Sequence, residues 1–579
     1  MIGHKDRRID FRGWATGRSL PLPPVGSFLV PQRQFKDLVL INNWPGSLAA
    51  INAGLVVSFF LFGFWWPYWR VADMDFWMVY EGWLFNDGLA QEWFDHPGYF
   101  TILLLGLWFR FLHGIGLLDV HALSGLPAPA DAEHAWTMAV RAGRVLSLLL
   151  AMAFVLGFGI LLRRLIGDWR IAVLATLALA LSGGVLMAAR IMRTELIAAG
   201  LFMIALIVLL IAAGATRTPW RPLLLGLAAL ATTLGFINKV QLIFLICALP
   251  LILLPFGCRS DDPAAFWRSS RLAIPISALV AIGAVAVAIP AAFLVWTAIA
   301  QAPSVFPHPF VPGLFGAYQA AIAAWIAAAM IAFAVVWRVP AAETAAAMSA
   351  VMAGIAVGLL FLDIRYNLRA VIVVLNPLEQ LLAWASGLQT PDGTFLSGLA
   401  RPLLHAVYGV FAARTFILDS SARPTIFLEW LVIAAAIFAW KAGHRRLAAQ
   451  VAVLMVVAWG MDTIYSVRSL EEQYFILTDP LVIIAAALLL TQVPRLQAHP
   501  RAFQIGALLI AAHLVVGLSG PVRETFRSSK PMDLCRGRFV YTSRIESYSF
   551  CPRVADHEGE AQSAAQYAAQ HPDLVDFAD

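Results

Sequence analysis

Six carboxylates fall between positions 70 and 97 of a 579-residue chain in which only 13% of residues are charged. They are Asp73, Asp75, Glu81, Asp87, Glu92 and Asp95, and aromatic residues from Phe76 to Phe94 are threaded among them. The stretch closes on His96-Pro97. Acids set beside Trp and Tyr directly after an apolar run point to a polar site at a lipid–water boundary. Three other charged groups stand out. They are the segment Arg190 to Glu195 with Arg193 inside it, the isolated Lys239, and the turn from Arg468 through Glu471 and Glu472 to Tyr474. Carboxylates that meet Arg and Lys suit a transfer reaction with a phosphate leaving group. The carboxylate takes the proton of an acceptor nucleophile, and the cations offset charge growing on the departing phosphate.

The elements that must position these residues are apolar. Hydrophobic residues make up 60% of the chain and mean hydropathy is +0.76. Repeated apolar runs of about 20 residues are what a hydrocarbon layer of about 30 Å requires, so the chain reads as an all-α polytopic membrane protein. The net charge of +6 does not imply nucleic acid, because the basic residues sit between apolar runs, where they set orientation. Residues 1–46 are polar and basic without an early apolar core, and read as a cytoplasmic leader.

The runs are 47–69, 139–162, 171–188, 196–214, 222–238, 240–256, 273–299, 314–337, 345–363, 425–440, 447–465, 478–493 and 503–519, about thirteen spans in a domain covering 47–519. Arg163-Arg164 at the end of the second run belongs inside. With 98–118 taken as a helix lying in the outer headgroup layer, residues 70–138 form an exterior loop and the four charged groups share the outer face. A true crossing at 98–118 would instead place Glu195 and Lys239 on the cytoplasmic side. Residues 364–424 read as amphipathic pieces on the outer surface, and 520–579 as a small exterior tail. Cys535 and Cys551 lie in that tail and read either as a disulfide or as two free thiols. Glu429 and Asp462 lie within or near spans, with no task assigned to them.

Each charged group also has a structural reading. Asp95 and His96 could brace the loop, Glu195 could pair with Arg190 or Arg193, and Lys239 could reach for the interface. The turn carrying Arg468 and Tyr474 could be an ordinary polar turn.

The order of the motifs resembles the first part of the GT-C glycosyltransferase superfamily, in particular the protein O-mannosyltransferases and the lipid A aminoarabinose transferases. In those families an Asp-Glu pair after the first span precedes His-Pro-Pro at a similar spacing. Here Asp75 precedes His96 by twenty-one positions. The run with Arg141, Arg144 and Arg-Arg-Leu-Ile-Gly resembles their second span, Glu195 their second acidic position, and Gly235 to Lys239 their Gly-Leu-to-Lys segment. The resemblance covers roughly 47–260. The chain departs from the pattern with Asp73-Met-Asp75 for Asp-Glu, His-Pro-Gly for His-Pro-Pro, and Glu for the second Asp.

The resemblance implies a GT-C-like bundle and a sugar donor on a polyprenyl phosphate, with a glycolipid, glycan or protein as acceptor. Asp75 or Asp73 would be the base, with inversion at the anomeric carbon. Glu195 would position the acceptor or share a divalent ion, so metal dependence stays open. Lys239, Arg190, Arg193 and Arg468 would hold the phosphate, and His96, Asp95 and Tyr474 would support the site. The implied setting is a bacterial inner membrane, with the site facing the periplasm. The alternative class is a transporter or lipid flippase, whose expected marks are inverted repeats and broken helices with ionisable groups at membrane depth.

Overall fold

The computed structural model describes residues 44–66, 68, 72–92, 98–127, 132–214, 220–258, 273–305, 312–376, 404, 407, 426–466, 472–492, 508, 512, 539–540 and 548–549. These residues belong to one compact unit, Trp44–Asp579. Its helices are α1 (Trp44–Phe62), α2 (Trp77–Asp87), α3 (Tyr99–Gly114), α4 (Ala132–Ile166), α5 (Trp169–Ala180), α6 (Gly183–Ala188), α7 (Thr194–Gly214), α8 (Arg221–Asn238), α9 (Leu242–Leu253), α10 (Ala273–Val305), α11 (Pro312–Trp337), α12 (Ala341–Leu359), α13 (Ile364–Leu375), α14 (Ile426–Lys441), α15 (Arg445–Ser466) and α16 (Asp479–Gln492). The only strands among the described residues are Phe539–Val540 and Tyr548–Ser549, which pair antiparallel. The chain is an all-α membrane protein: α1, α4, α7, α8, α10, α11, α12 and α15 are each long and apolar enough to cross a bilayer.

The core forms around α7, which is apolar on every face from Leu196 to Ala213 and is accordingly buried on most of them. α4 and α8 pack along it, and α12 packs along α8. The α8–α12 contact is built from small residues. A Cβ on Gly354 would overlap the Gly226 carbonyl oxygen, and one on Gly358 would overlap the Thr233 side chain. Small residues let helix backbones approach closely where lipid provides no hydrophobic drive between helices.

Of the thirteen apolar runs, eight become these long helices. The runs at 240–256, 425–440 and 478–493 form shorter helices, and 503–519 lies outside the described residues apart from two single positions. The run at 171–188 is not one helix. It breaks at Leu181, where Ser182 caps α6 by accepting from the Val185 amide at 3.4 Å. Residues 171–188 read as one span in the sequence, and the helix breaks at their Ser182-Gly183-Gly184. Three further boundaries differ from the sequence reading. α4 begins at Ala132, so the expected loop 70–138 ends earlier. Within 98–118 the helix is the 16-residue α3, Tyr99–Gly114, about 24 Å long at 1.5 Å per residue. In the segment 364–424 the described helix is α13, Ile364–Leu375, whose Val371, Ile372, Val374 and Leu375 are buried against Ile237 and Val240. Residues 1–43 and Cys535 and Cys551 in the tail lie outside the described residues.

Candidate functional site

Asp75 sits in a single π-helical turn, Ala72–Phe76, immediately before α2. Such turns interrupt the regular ladder and recur at functional sites. Its carboxylate is fully buried and holds three donors. Arg144 Nε lies 2.9 Å and Arg144 Nη2 2.6 Å from Oδ2, and the Met192 amide donates to Oδ1 at 3.0 Å. The third Arg144 nitrogen, Nη1, donates to the Trp66 carbonyl just beyond α1. One ion pair therefore joins the end of α1, the π turn, the middle of α4 and the turn between α6 and α7. Burial pushes the Asp75 carboxyl above its ordinary range, while Arg144, the Met192 amide and the Arg193 charge pull it down.

Glu195 lies in the first turn of α7, where the positive end of the helix favours an acid. Lys239 follows α8 at the point where the chain leaves the helix. Lys239 Nζ donates to Glu195 Oε1 at 2.7 Å, and both side chains are buried. Beside them Asn238 works as a clasp. Its amide donates to the Thr194 carbonyl at 2.6 Å and to Thr101 Oγ1 at 3.1 Å, and its side-chain oxygen accepts from the Thr101 amide at 3.1 Å. The Gly98 amide donates to the Asn238 carbonyl. The start of α3, directly after the His96-Pro97 segment, is thus fastened to the start of α7 and the end of α8.

Arg190, Ile191, Met192 and Arg193 form the turn between these two ion pairs. Arg190 is buried and donates to Ser58 Oγ at 2.6 Å. Arg193 is 6% exposed, and its Nε and Nη1 have no acceptor among the described residues. Glu81, also buried, accepts from the Glu92 amide, and Tyr80 donates to Glu92 Oε2 at 2.8 Å. Tyr366 donates to the Glu81 carbonyl, and burial followed by the nearby Glu81 charge pushes its phenol up.

The structure thus brings Asp75, Arg190, Arg193, Glu195 and Lys239 to one neighbourhood around a single turn. Tyr474 is buried in the core within the 3₁₀ segment Glu472–Leu477, which packs on α6. Asp73 lies in the π turn, its side chain outside the described set, and Asp95, His96 and Arg468 also fall outside the described residues. Sequence reasoning did not assign roles to Arg144 or Asn238. The signal for Arg144 was a charged residue in the middle of an apolar run, which is expensive unless paired. Asn238 carried only its place beside Lys239.

Among the described residues no three His, Cys, Asp or Glu side chains lie together in a way that could hold a metal ion. Comparison with family models, with curated proteins and with solved structures finds no match to this chain.

Proposed function

We propose that the chain is a membrane glycosyltransferase that moves a sugar from a polyprenyl-phosphate donor to an acceptor on the outer face of the membrane, with inversion. The observation that carries this reading is Arg193, a buried guanidinium with two nitrogens, Nε and Nη1, unsatisfied among the described residues, beside two ion pairs that are already neutral. A buried cation without an acceptor calls for an anion. A phosphate offers the several oxygens that a guanidinium matches. Arg193 and Arg190 hold the donor phosphate, with Lys239 joining them when the sugar arrives. Glu195 orients the acceptor.

Asp75 reaches the acceptor only after it parts from Arg144, because both of its oxygens are taken. Asp73, two residues earlier in the same turn, is the other candidate base. The acceptor attacks the anomeric carbon from the face opposite the phosphate, passing through an oxocarbenium-like state as in glycoside hydrolysis.

The test gives labelled polyprenyl-phosphate sugar to membranes holding the wild-type chain, Asp73→Asn or Asp75→Asn. The expected result is a glycosidic product from wild type and none from the variant that lacks the base. No product from wild type with any of the three acceptor classes ends the reading. A second reading, a transporter or flippase, draws on the break between α5 and α6 and on the buried Asp462 and Asp479. Movement of lipid-linked sugar across proteoliposomes, with no glycosidic bond formed, favours it.

A further inference from the structure

α8, α10 and α12 border an open apolar cleft of about 320 Å³, lined by Leu223, Leu227, Gly283, Val287, Ala353 and Val357 among others. All three helices are long and apolar enough to cross a membrane. The gap has a local cause. Gly226, Ala350 and Gly354 bring the backbones of α8 and α12 together, and α10 faces the resulting hollow with a glycine. A Cβ on Gly283 would meet no heavy atom within 4 Å.

The mouth of the cleft opens on apolar surface. Leu227 in its lining is 52% exposed, and Leu279 and Ile282, next in sequence to the lining residues Val280 and Gly283, are 73% and 69% exposed, all on helices long and apolar enough to cross a membrane. A hollow with no polar lining excludes water and takes an apolar guest. Its lower end lies one turn from Trp220 and from Arg221, which pairs with Glu343 at 3.1 Å. Exposed Trp beside charge marks the headgroup level.

We infer that this cleft seats one acyl chain of a membrane phospholipid whose headgroup lies at the level of Trp220. The site is separate from the one around Arg193 and does not depend on it. Leu230, the last α8 residue lining the cleft, lies eight positions before Asn238, about 12 Å along the helix. Thr233, packed on Gly358, stands between the two.

The test purifies the full chain in detergent as wild type, Gly283→Leu, Gly283→Ala and Gly54→Leu, and quantifies retained phospholipid by mass spectrometry. Gly54 also faces open space, but on α1. Wild type and Gly54→Leu should retain phospholipid. Gly283→Leu should retain several-fold less, and Gly283→Ala, which keeps the proposal testable if the larger side chain prevents folding, an intermediate amount. Adding dioleoyl phosphatidylethanolamine to stripped protein should raise the thermal midpoint of wild type and leave Gly283→Leu unmoved. Equal retention in all four chains overturns the inference. So does displacement of the phospholipid from wild type by a polyprenyl monophosphate, which would make the cleft a seat for the donor's own tail.

Discussion

Lys239 and Glu195 stand 2.7 Å apart with neither side chain more than 1% exposed. Breaking such a pair by removing one partner leaves a bare charge in a place that cannot solvate it, at a cost of about 3–5 kcal/mol. Lys239→Met alone should therefore lower the unfolding midpoint in detergent sharply, and Lys239→Met with Glu195→Leu should recover most of the loss. A double variant no more stable than the single one would mean that the pair is solvated.

Gly184 in α6 lies against the backbone of Ile476, and a Cβ there would overlap the Ile476 nitrogen. Backbone has little room to move aside. Gly184→Ala should destabilise the protein by about 1–3 kcal/mol, as overpacking of a close contact does. Gly54→Ala, in open space, should be near neutral. Thermal unfolding of the two variants side by side makes the comparison.

Arg193 lacks acceptors for its Nε and Nη1 among the described residues. If it holds the donor phosphate, Arg193→Gln should weaken binding of a labelled polyprenyl-phosphate sugar by ten- to a hundredfold, since a hydrogen bond to a charged group contributes about 1.5–3 kcal/mol. The effect belongs in donor affinity and much less in turnover at saturating donor. Unchanged donor affinity in a folded Arg193→Gln protein would remove Arg193 from the site.

His113 and His121 stack with ring centroids 4.0 Å apart, and His113 Nδ1 donates to the Leu118 carbonyl at 2.9 Å. Burial, then the neighbouring His113 and Arg110, holds the His121 imidazole below its usual 6.5, with Asp87 opposing. A histidine with a lowered value in the folded state contributes full stability above 6.5. It loses that stability as pH falls through the folded value. Amide protection over 114–125, taken relative to the intrinsic exchange rate at each pH, should fall on acidification below 6.5, and His121→Phe should flatten that dependence. An identical pH profile in the variant would show that the stack does not govern the segment.

Most of the bundle was legible in the sequence because long apolar runs bounded by charge admit few other structures in a bilayer. The break after α5 was not legible. Residues 171–188 read as one largely apolar run, and at Ser182-Gly183-Gly184, where the helix breaks, the 3₁₀ segment around Ile476 packs against Gly184 from nearly three hundred positions away. The candidate site divides in the same way. Asp75, Glu195 and Lys239 stood out as charges in apolar surroundings, whereas the partner of each is fixed by which helix faces which. Arg144 reaches Asp75 across 69 positions, and no period or spacing in a single sequence carries that pairing. Asn238 left even less trace, because an amide beside a lysine looks like any polar helix end.

The clasp made by Asn238 sets a kinetic condition on the site. The start of α3, the start of α7 and the end of α8 share one side-chain amide, so none of the three can swing away without rupturing hydrogen bonds sealed from water. Any guest that needs the threshold near Gly98 to part must wait for those bonds to let go together.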